Sequence, residues 1–293
     1  MSSLLKALES GKVLVSDGAW GTFLQQRGLQ PGECPELWNI TRKADVLAIA
    51  SSYIDAGADM ILTNSFGGSP YKLAHYGLEG RTAELNEAAA MISRQAAGDD
   101  HFVLGSVGPT GAILMMGQIS EDEMYEGFRV QSEALKKGGA DAICVETMSA
   151  VDEASIAIRA AGSTGLEVVC TFTFEKTVNG DFRTMMGVTP QEMVTAVKEA
   201  GASIIGTNCG NGFDQMIEIV KEIRSAEKSI PVLVHANAGK PEYRDGLTVF
   251  PEGPQHMAVR VKELIQSGAN IIGGCCGTTP AHIQALVNEV KKL

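Results

Sequence analysis

Ile271-Ile272-Gly273-Gly274-Cys275-Cys276-Gly277-Thr278-Thr279-Pro280 sets two adjacent cysteines between glycines. The apolar run before them reads as a buried strand and the Thr-Pro pair after them as a helix start, so this is a strand-to-helix loop that carries thiols. Neighbouring side chains on a strand point to opposite faces, so Cys275 and Cys276 can share one ion only where the extended geometry breaks. The flanking glycines permit that break. Ile204-Ile205-Gly206-Thr207-Asn208-Cys209-Gly210-Asn211-Gly212 repeats the theme upstream. Three cysteines can hold a zinc ion and leave one position open.

Outward from this stretch, apolar runs alternate with helical patterns. Strands are expected at Val13–Val15, Asp59–Thr63, Phe102–Val107, Asp141–Val145, Val168–Phe172, Ser203–Thr207, Pro231–Val234 and Asn270–Ile272. Met1–Gly11 reads as a short amphipathic helix ahead of the first of them. Ser120 with Glu123, and Thr189 with Glu192 and Pro190, form capping boxes that start helices. Eight strand-helix pairs predict an α/β fold, a (β/α)8 TIM barrel formed as a single domain over residues 1–293.

An internal repeat supports the barrel more sharply. Ala56-Gly57-Ala58-Asp59, Gly138-Gly139-Ala140-Asp141, Ala200-Gly201-Ala202-Ser203 and Ser267-Gly268-Ala269-Asn270 each end a helix and open an even-numbered strand. Counting on by the same number of residues lands on Asn64, Glu146, Asn208 and Cys275, and one step further on Ser65, Thr147, Cys209 and Cys276. The C-terminal ends of barrel strands form the active-site face, so these groups should converge on one mouth.

Composition excludes several classes. With 293 residues and 44% hydrophobic content the chain can bury a large core, and a net charge of -11 argues against a nucleic-acid partner. There is no apolar run of membrane-spanning length and no leader, so no membrane role is expected and the cytoplasm is the default location. Six cysteines without a secretory signal are expected as reduced thiols. Three thiolates on one zinc suit activation of an incoming thiol, whose pKa the metal lowers. Such a sulfur is suited to attack on an alkyl group.

Asp17-Gly18-Ala19-Trp20-Gly21-Thr22, Thr63-Asn64-Ser65-Phe66, Gly105-Ser106-Val107-Gly108-Pro109-Thr110-Gly111, Glu146-Thr147, Thr207-Asn208-Cys209, Asn237-Ala238-Gly239 and the Gly273–Pro280 stretch together resemble the homocysteine S-methyltransferase family. Within it the chain is most similar to the homocysteine-binding barrel of cobalamin-dependent methionine synthases, and the resemblance spans essentially the whole sequence. It implies a zinc-dependent enzyme with Cys209, Cys275 and Cys276 as ligands and Asn237 as a candidate fourth. It also implies that Asp17 and Glu146 hold the amino group of homocysteine, with backbone amides near Gly18 and Ala19, or Ser106 and Val107, available to its carboxylate. Asn64 joins them as a polar strand end on the substrate side. The expected reaction is methylation of homocysteine to methionine.

Two departures shape that expectation. Trp20 stands where those synthases usually carry methionine. The sequence also ends with the barrel, so a methylcobalamin or other corrinoid donor is expected on a separate protein. Relatives that use S-methylmethionine usually carry arginine where this chain has Gly277, which tilts the expectation toward the corrinoid branch. The alternatives are such an S-methylmethionine-dependent enzyme, a demethylase passing methyl from a small compound to a corrinoid protein, and a non-enzymatic zinc protein that docks a corrinoid partner.

The remaining candidates have blander readings. His235 is expected as a hydrogen-bonded rim residue, and His75, His101, His256 and His282 as surface or helix residues. Cys34 reads as a loop thiol, Cys144 and Cys170 as small core residues of strands. Gly105–Gly111 reads as a turn that brings backbone near substrate, Asn179-Gly180 as a small hairpin. Met115-Met116 and Met185-Met186 read as gap fillers.

Overall fold

The strands form in the expected places because each is an apolar, β-branched run that ends at a polar residue. In the computed structural model, which describes residues 3–244 and 247–293, they are β1 (Leu14–Val15), β2 (Met60–Leu62), β3 (Phe102–Val107), β4 (Ala142–Met148), β5 (Glu167–Phe172), β6 (Ile204–Asn208), β7 (Val232–Ala236) and β8 (Ile271–Gly274). They make one parallel sheet in the order β1-β8-β7-β6-β5-β4-β3-β2, with helices outside. This is the expected (β/α)8 barrel. Both capping boxes are formed, at Ser120 and Thr189. The helix Pro280–Val290 starts at the Thr-Pro pair.

The repeat has two physical causes. Gly57, Gly139, Gly201 and Gly268 all have φ between 93° and 116°, a left-handed turn out of the preceding helix that a side chain would strain. The polar residue two places on then stitches strands together. Asp59, Asp141, Ser203 and Asn270 donate their amides to Val15, Val103, Val168 and Val232 oxygens at 2.7–2.8 Å. The side chains of Asp59, Asp141 and Asn270 accept the amides of Val15, Val103 and Val232 in return. At Asp59 this matters most, because β1 and β2 share no ladder, and its two bonds close the cylinder across that seam.

Inside the barrel, alternate residues sort into layers. Leu14, Leu62, Leu104, Cys144, Val169, Ile204, Leu233 and Ile271 belong to an apolar interior that also receives Leu4 from the helix Leu4–Glu9. That helix covers the N-terminal end of the barrel; Met1 and Ser2 lie outside the described residues. One pleat higher the inward positions turn polar: Ser16, Ser106, Glu146, Thr171, Asn208 and His235, all buried. The site stands on this polar layer. Cys170 is fully buried in the core around the cylinder, and Cys144 and Cys170 are strand core residues as expected. The Asn179-Gly180 turn joins the paired segments Glu175–Lys176 and Phe182–Arg183. No described helix is long and apolar enough to cross a membrane.

Candidate functional site

The three cysteines meet because β7 holds both loops that carry them. Cys209 donates its amide to the His235 oxygen at 2.9 Å and Cys275 to the Ala236 oxygen at 2.6 Å, while Ala238 donates to the Cys276 oxygen at 3.0 Å. The strand ends at Gly274, so Cys275 and Cys276 leave the extended geometry as required. Cys209 itself takes φ 61°, an uncommon left-handed conformation that re-aims its side chain, and Gly277 takes φ 80°. The Cys209 and Cys275 sulfurs each lie 4.0 Å from Cys276 Sγ, and all three sulfurs are within 4.8 Å of one another.

Tetrahedral zinc with Zn–S of about 2.3 Å spaces its sulfurs about 3.8 Å apart, so the trio fits such an ion with shifts of no more than about 1 Å. Without a metal the three share protons unequally. Hydrogen bonds from Cys275 and Cys276 hold Cys209 far below the usual thiol range, and the same sharing pushes Cys275 and Cys276 up. Asn237 also donates toward Cys209, and its own Oδ1 is buried without a partner. A side-chain amide beside the sulfurs with an orphaned oxygen fits an oxygen ligand once the amide is turned.

Beside the sulfurs a cavity of about 410 Å³ opens to the mouth. Of the substrate candidates, Asp17, Gly18, Ala19, Asn64, Ser106 and Glu146 line it, and Val107 does not. Burial pushes Asp17 up to about 6 and Glu146 up to about 7, the latter also raised by the charge of Asp17. Asp17 Oδ2 accepts from Leu62 N and Trp20 Nε1, each at 2.8 Å. The indole that departs from the family pattern therefore orients the carboxyl. Glu146 accepts from the Ser106 hydroxyl, and from Asn208 Nδ2 at 3.4 Å.

Some candidates do other work than expected. The Ser106 amide donates to Thr63 Oγ1 at 2.9 Å and the Ala19 amide to Thr278 Oγ1 at 3.1 Å, so both are already committed. Asn64 spends its amide on the Pro35 oxygen and on Asn39 Oδ1, fastening the segment around residues 35–39 as a wall. In Gly105–Gly111 only Ser106 lines the cavity; a Cβ at Gly108 would stand 2.6 Å from the Phe66 ring, so the close approach there is to Phe66.

Residues to which the sequence assigned no particular role also contribute. Glu36, buried in that wall, accepts the Gly67 amide at 2.7 Å and lines the cavity. Burial pushes its carboxyl up. The signal was the long connection between β1 and the helix Lys43–Asp55, since long loops above a barrel are commonly functional. Asn208 bridges β4, β5 and β6: it donates to Thr147 Oγ1 at 2.8 Å and accepts from Thr147 N at 2.9 Å and Thr171 Oγ1 at 2.7 Å. Thr278 joins the first loop to the cysteine loop by donating to the Cys275 oxygen at 2.7 Å.

Other expectations change. Met115, Met116, Met185 and Met186 are 91, 66, 87 and 47% exposed, so they fill no gap; they stand on the segments that follow β3 and β5. His282 is in a helix but buried, donating from Nε2 to the Glu252 oxygen and accepting the Thr279 amide at Nδ1. His235 lines the cavity, yet its Nε2 has no partner, and it stands outside the sulfur cluster. Burial pushes it down to about 4.

Comparison with known proteins agrees with this geometry. The family described as Homocysteine S-methyltransferase matches residues 14–290. Methionine synthase of Mycobacterium tuberculosis is 32% identical over 97% of this chain, and that of Mycobacterium leprae 31% over 99%. The chain spans about a quarter of their length, 25% of each. The metallated form of the homocysteine methyltransferase MmuM from Escherichia coli superposes with a TM-score of 0.78 at 25% identity, covering 96% of this chain and 98% of that one. A carboxyl transferase domain of Rhizobium etli pyruvate carboxylase, at 13% identity and TM-score 0.57, shares the fold alone. With a family match over nearly all of its length and a barrel that gathers the same motifs at one mouth, the chain belongs to the homocysteine S-methyltransferase family.

Proposed function

We propose that the chain methylates homocysteine to methionine in the 410 Å³ cavity, with Cys209, Cys275 and Cys276 holding zinc and Asn237 supplying a fourth ligand before substrate binds. The observation that carries this reading is the convergence of three sulfurs within 4.8 Å beside two buried carboxyls. Bound zinc would lower the pKa of the substrate thiol so that it is present as thiolate at neutral pH. Asp17 and Glu146 bind the ammonium group and fix where the substrate sulfur lies. Trp20, Ser106 and Asn208 hold those two carboxyls in place. The wall at Pro35 and Glu36 limits water around the amino-acid end. The sulfur then takes the methyl group from a donor at the mouth, forming one S–C bond as the donor's bond to that carbon breaks.

A methylcorrinoid on a separate protein is the donor we favour, because Phe66 at the cavity and the exposed methionines on the segments after β3 and β5 offer apolar surface suited to a large docked donor. The match to the Escherichia coli homocysteine methyltransferase, covered over 98% of its length, favours a second reading in which a small free donor enters the same mouth. Methyl transfer to homocysteine is to be assayed on the zinc-loaded protein with methylcobalamin, S-methylmethionine, betaine and methylated amines. Turnover with methylcobalamin alone supports the first reading and turnover with S-methylmethionine the second. A zinc-loaded protein that uses none of these donors would overturn both.

A further inference from the structure

His235 is the one polar side chain of the cavity that the fold leaves unserved. Six buried side-chain nitrogen and oxygen atoms lack a partner among the described residues, on Arg27, Gln131, Ser132, His235, Asn237 and Glu252. Of these, only His235 lines the cavity. It is 2% exposed, and a buried polar atom with no partner is a standing cost that folding alone does not justify. Its ring is not a fourth member of the sulfur cluster.

The neighbours of the ring show what it is placed to meet. On β8, Gly273 pairs with His235, and a Cβ there would come within 2.9 Å of both His235 Cδ2 and the Asp17 main-chain oxygen. The missing side chain leaves the ring room toward Asp17. On β6, Asn208 pairs with His235 and hydrogen-bonds Glu146. The imidazole thus sits in the strand order between the two carboxyls that face the substrate ammonium.

An ammonium has three hydrogens to place. Asp17 Oδ2 is already taken by Leu62 N and Trp20 Nε1, and Glu146 Oε1 by the Ser106 hydroxyl. Asp17 Oδ1 accepts the Ser16 hydroxyl at 3.1 Å and Glu146 Oε2 accepts Asn208 Nδ2 at 3.4 Å, so every oxygen of the two carboxyls is already engaged and a further, unengaged acceptor serves the ammonium.

We propose that His235 Nε2 accepts the third hydrogen of the substrate's ammonium group, making this residue a determinant of amino-acid thiols over simple thiols. The proposal rests on the homocysteine reading above and adds a contact to it. It predicts that loss of the imidazole weakens the amino-acid end and leaves thiol capture untouched.

The test uses the full chain loaded with cobalt(II) in place of zinc, whose thiolate-to-metal absorption reports thiol binding without any methyl donor. Wild type and His235→Leu are titrated with homocysteine and with propane-1-thiol. The expected result is an affinity for homocysteine about 10-fold weaker or more in His235→Leu, the factor carried by one hydrogen bond to a charged group. Affinity for propane-1-thiol should be unchanged, and His235→Gln, which keeps an acceptor at similar reach, should recover most of the loss. Equal homocysteine binding by wild type and His235→Leu overturns the proposal, as does equal weakening toward both thiols. If His235→Leu does not retain cobalt, His235→Gln and His235→Asn carry the comparison, and equal affinity of these two overturns it. A wild-type spectrum indifferent to homocysteine but responsive to propane-1-thiol would sink the homocysteine reading itself, and this contact with it.

Discussion

The ends of β4 and β6 occupy the same place in the repeat and do different chemistry. Glu146-Thr147 and Asn208-Cys209 each follow a helix-ending glycine by the same count, and their second residues share a left-handed backbone, φ 63° at Thr147 and φ 61° at Cys209. At β4 the turn presents a carboxyl to the cavity; at β6 it presents a sulfur to two others. The backbone device is shared and only the side chains assign the role. Asn208 then ties the two ends together through both atoms of its amide.

The largest separation between the two ends should come from removing one functional group at each. Cys209→Ser is expected to lose stoichiometric zinc and to reduce methyl transfer by more than about 100-fold, beyond the range usual for residues that merely support a ligand. Glu146→Gln should keep its zinc. Metal analysis of both purified variants checks this, and zinc retained by Cys209→Ser would break the division of labour.

Next in size is the link between them. Asn208→Ala leaves the Thr147 amide and the Thr171 hydroxyl without a partner in a buried layer. The expected cost is about 2–3 kcal/mol in urea denaturation, with a 10–100-fold loss of transfer as Glu146 loses its orientation. A variant of unchanged stability would show that the two ends are independent.

The sequence made some of this legible and hid the rest for physical reasons. Cys209, Cys275, Cys276 and Glu146 could be found because strand periodicity and a repeat fix where inward strand ends lie, whereas Asp17 was legible only through the resemblance of its Asp-Gly-Ala motif to the family. Asn208 was visible as a strand end, yet its bridging role depends on the distance between β4 and β6, which no local pattern encodes. Glu36 sits in a wall whose shape comes from the amides of Asn39 and Asn64. The loop methionines show the limit most clearly: residue type suggested filler, but whether a loop turns inward or outward is decided by contacts elsewhere in the chain.

A smaller effect sharpens the comparison through pH. Burial raises the folded pKa of Glu146 from 4.5 to about 7, so between those values the folded protein binds a proton that the unfolded chain does not. Stability from this group is therefore full below pH about 4 and declines as pH rises toward 7, by about 3 kcal/mol in all. Ammonium binding runs the other way, because the carboxylate is the binding form, so the homocysteine KM should fall as pH rises from 6 to 7.5. Glu146→Gln should flatten both profiles in its share; urea midpoints of metal-free protein at pH 5 and pH 8 read the first, and KM against pH the second. Parallel profiles for wild type and variant would remove Glu146 from the ammonium site.

The smallest effect is expected where two terms oppose. A β-branched residue at φ 63° costs about 1–2 kcal/mol, and glycine at Thr147 would relieve it. The same change deletes Thr147 Oγ1, which accepts Asn208 Nδ2 at 2.8 Å, a part-buried bond of about 1 kcal/mol. Thr147→Gly should thus unfold within about 1 kcal/mol of wild type, although it alters a half-buried turn that lines the cavity. Destabilisation by more than about 2 kcal/mol would mean that the hydroxyl, and with it the tie to Asn208, outweighs the strain. Glycine at Cys209 relieves the same strain but removes a sulfur, so the pair of substitutions separates the shared backbone from the chemistry each copy carries.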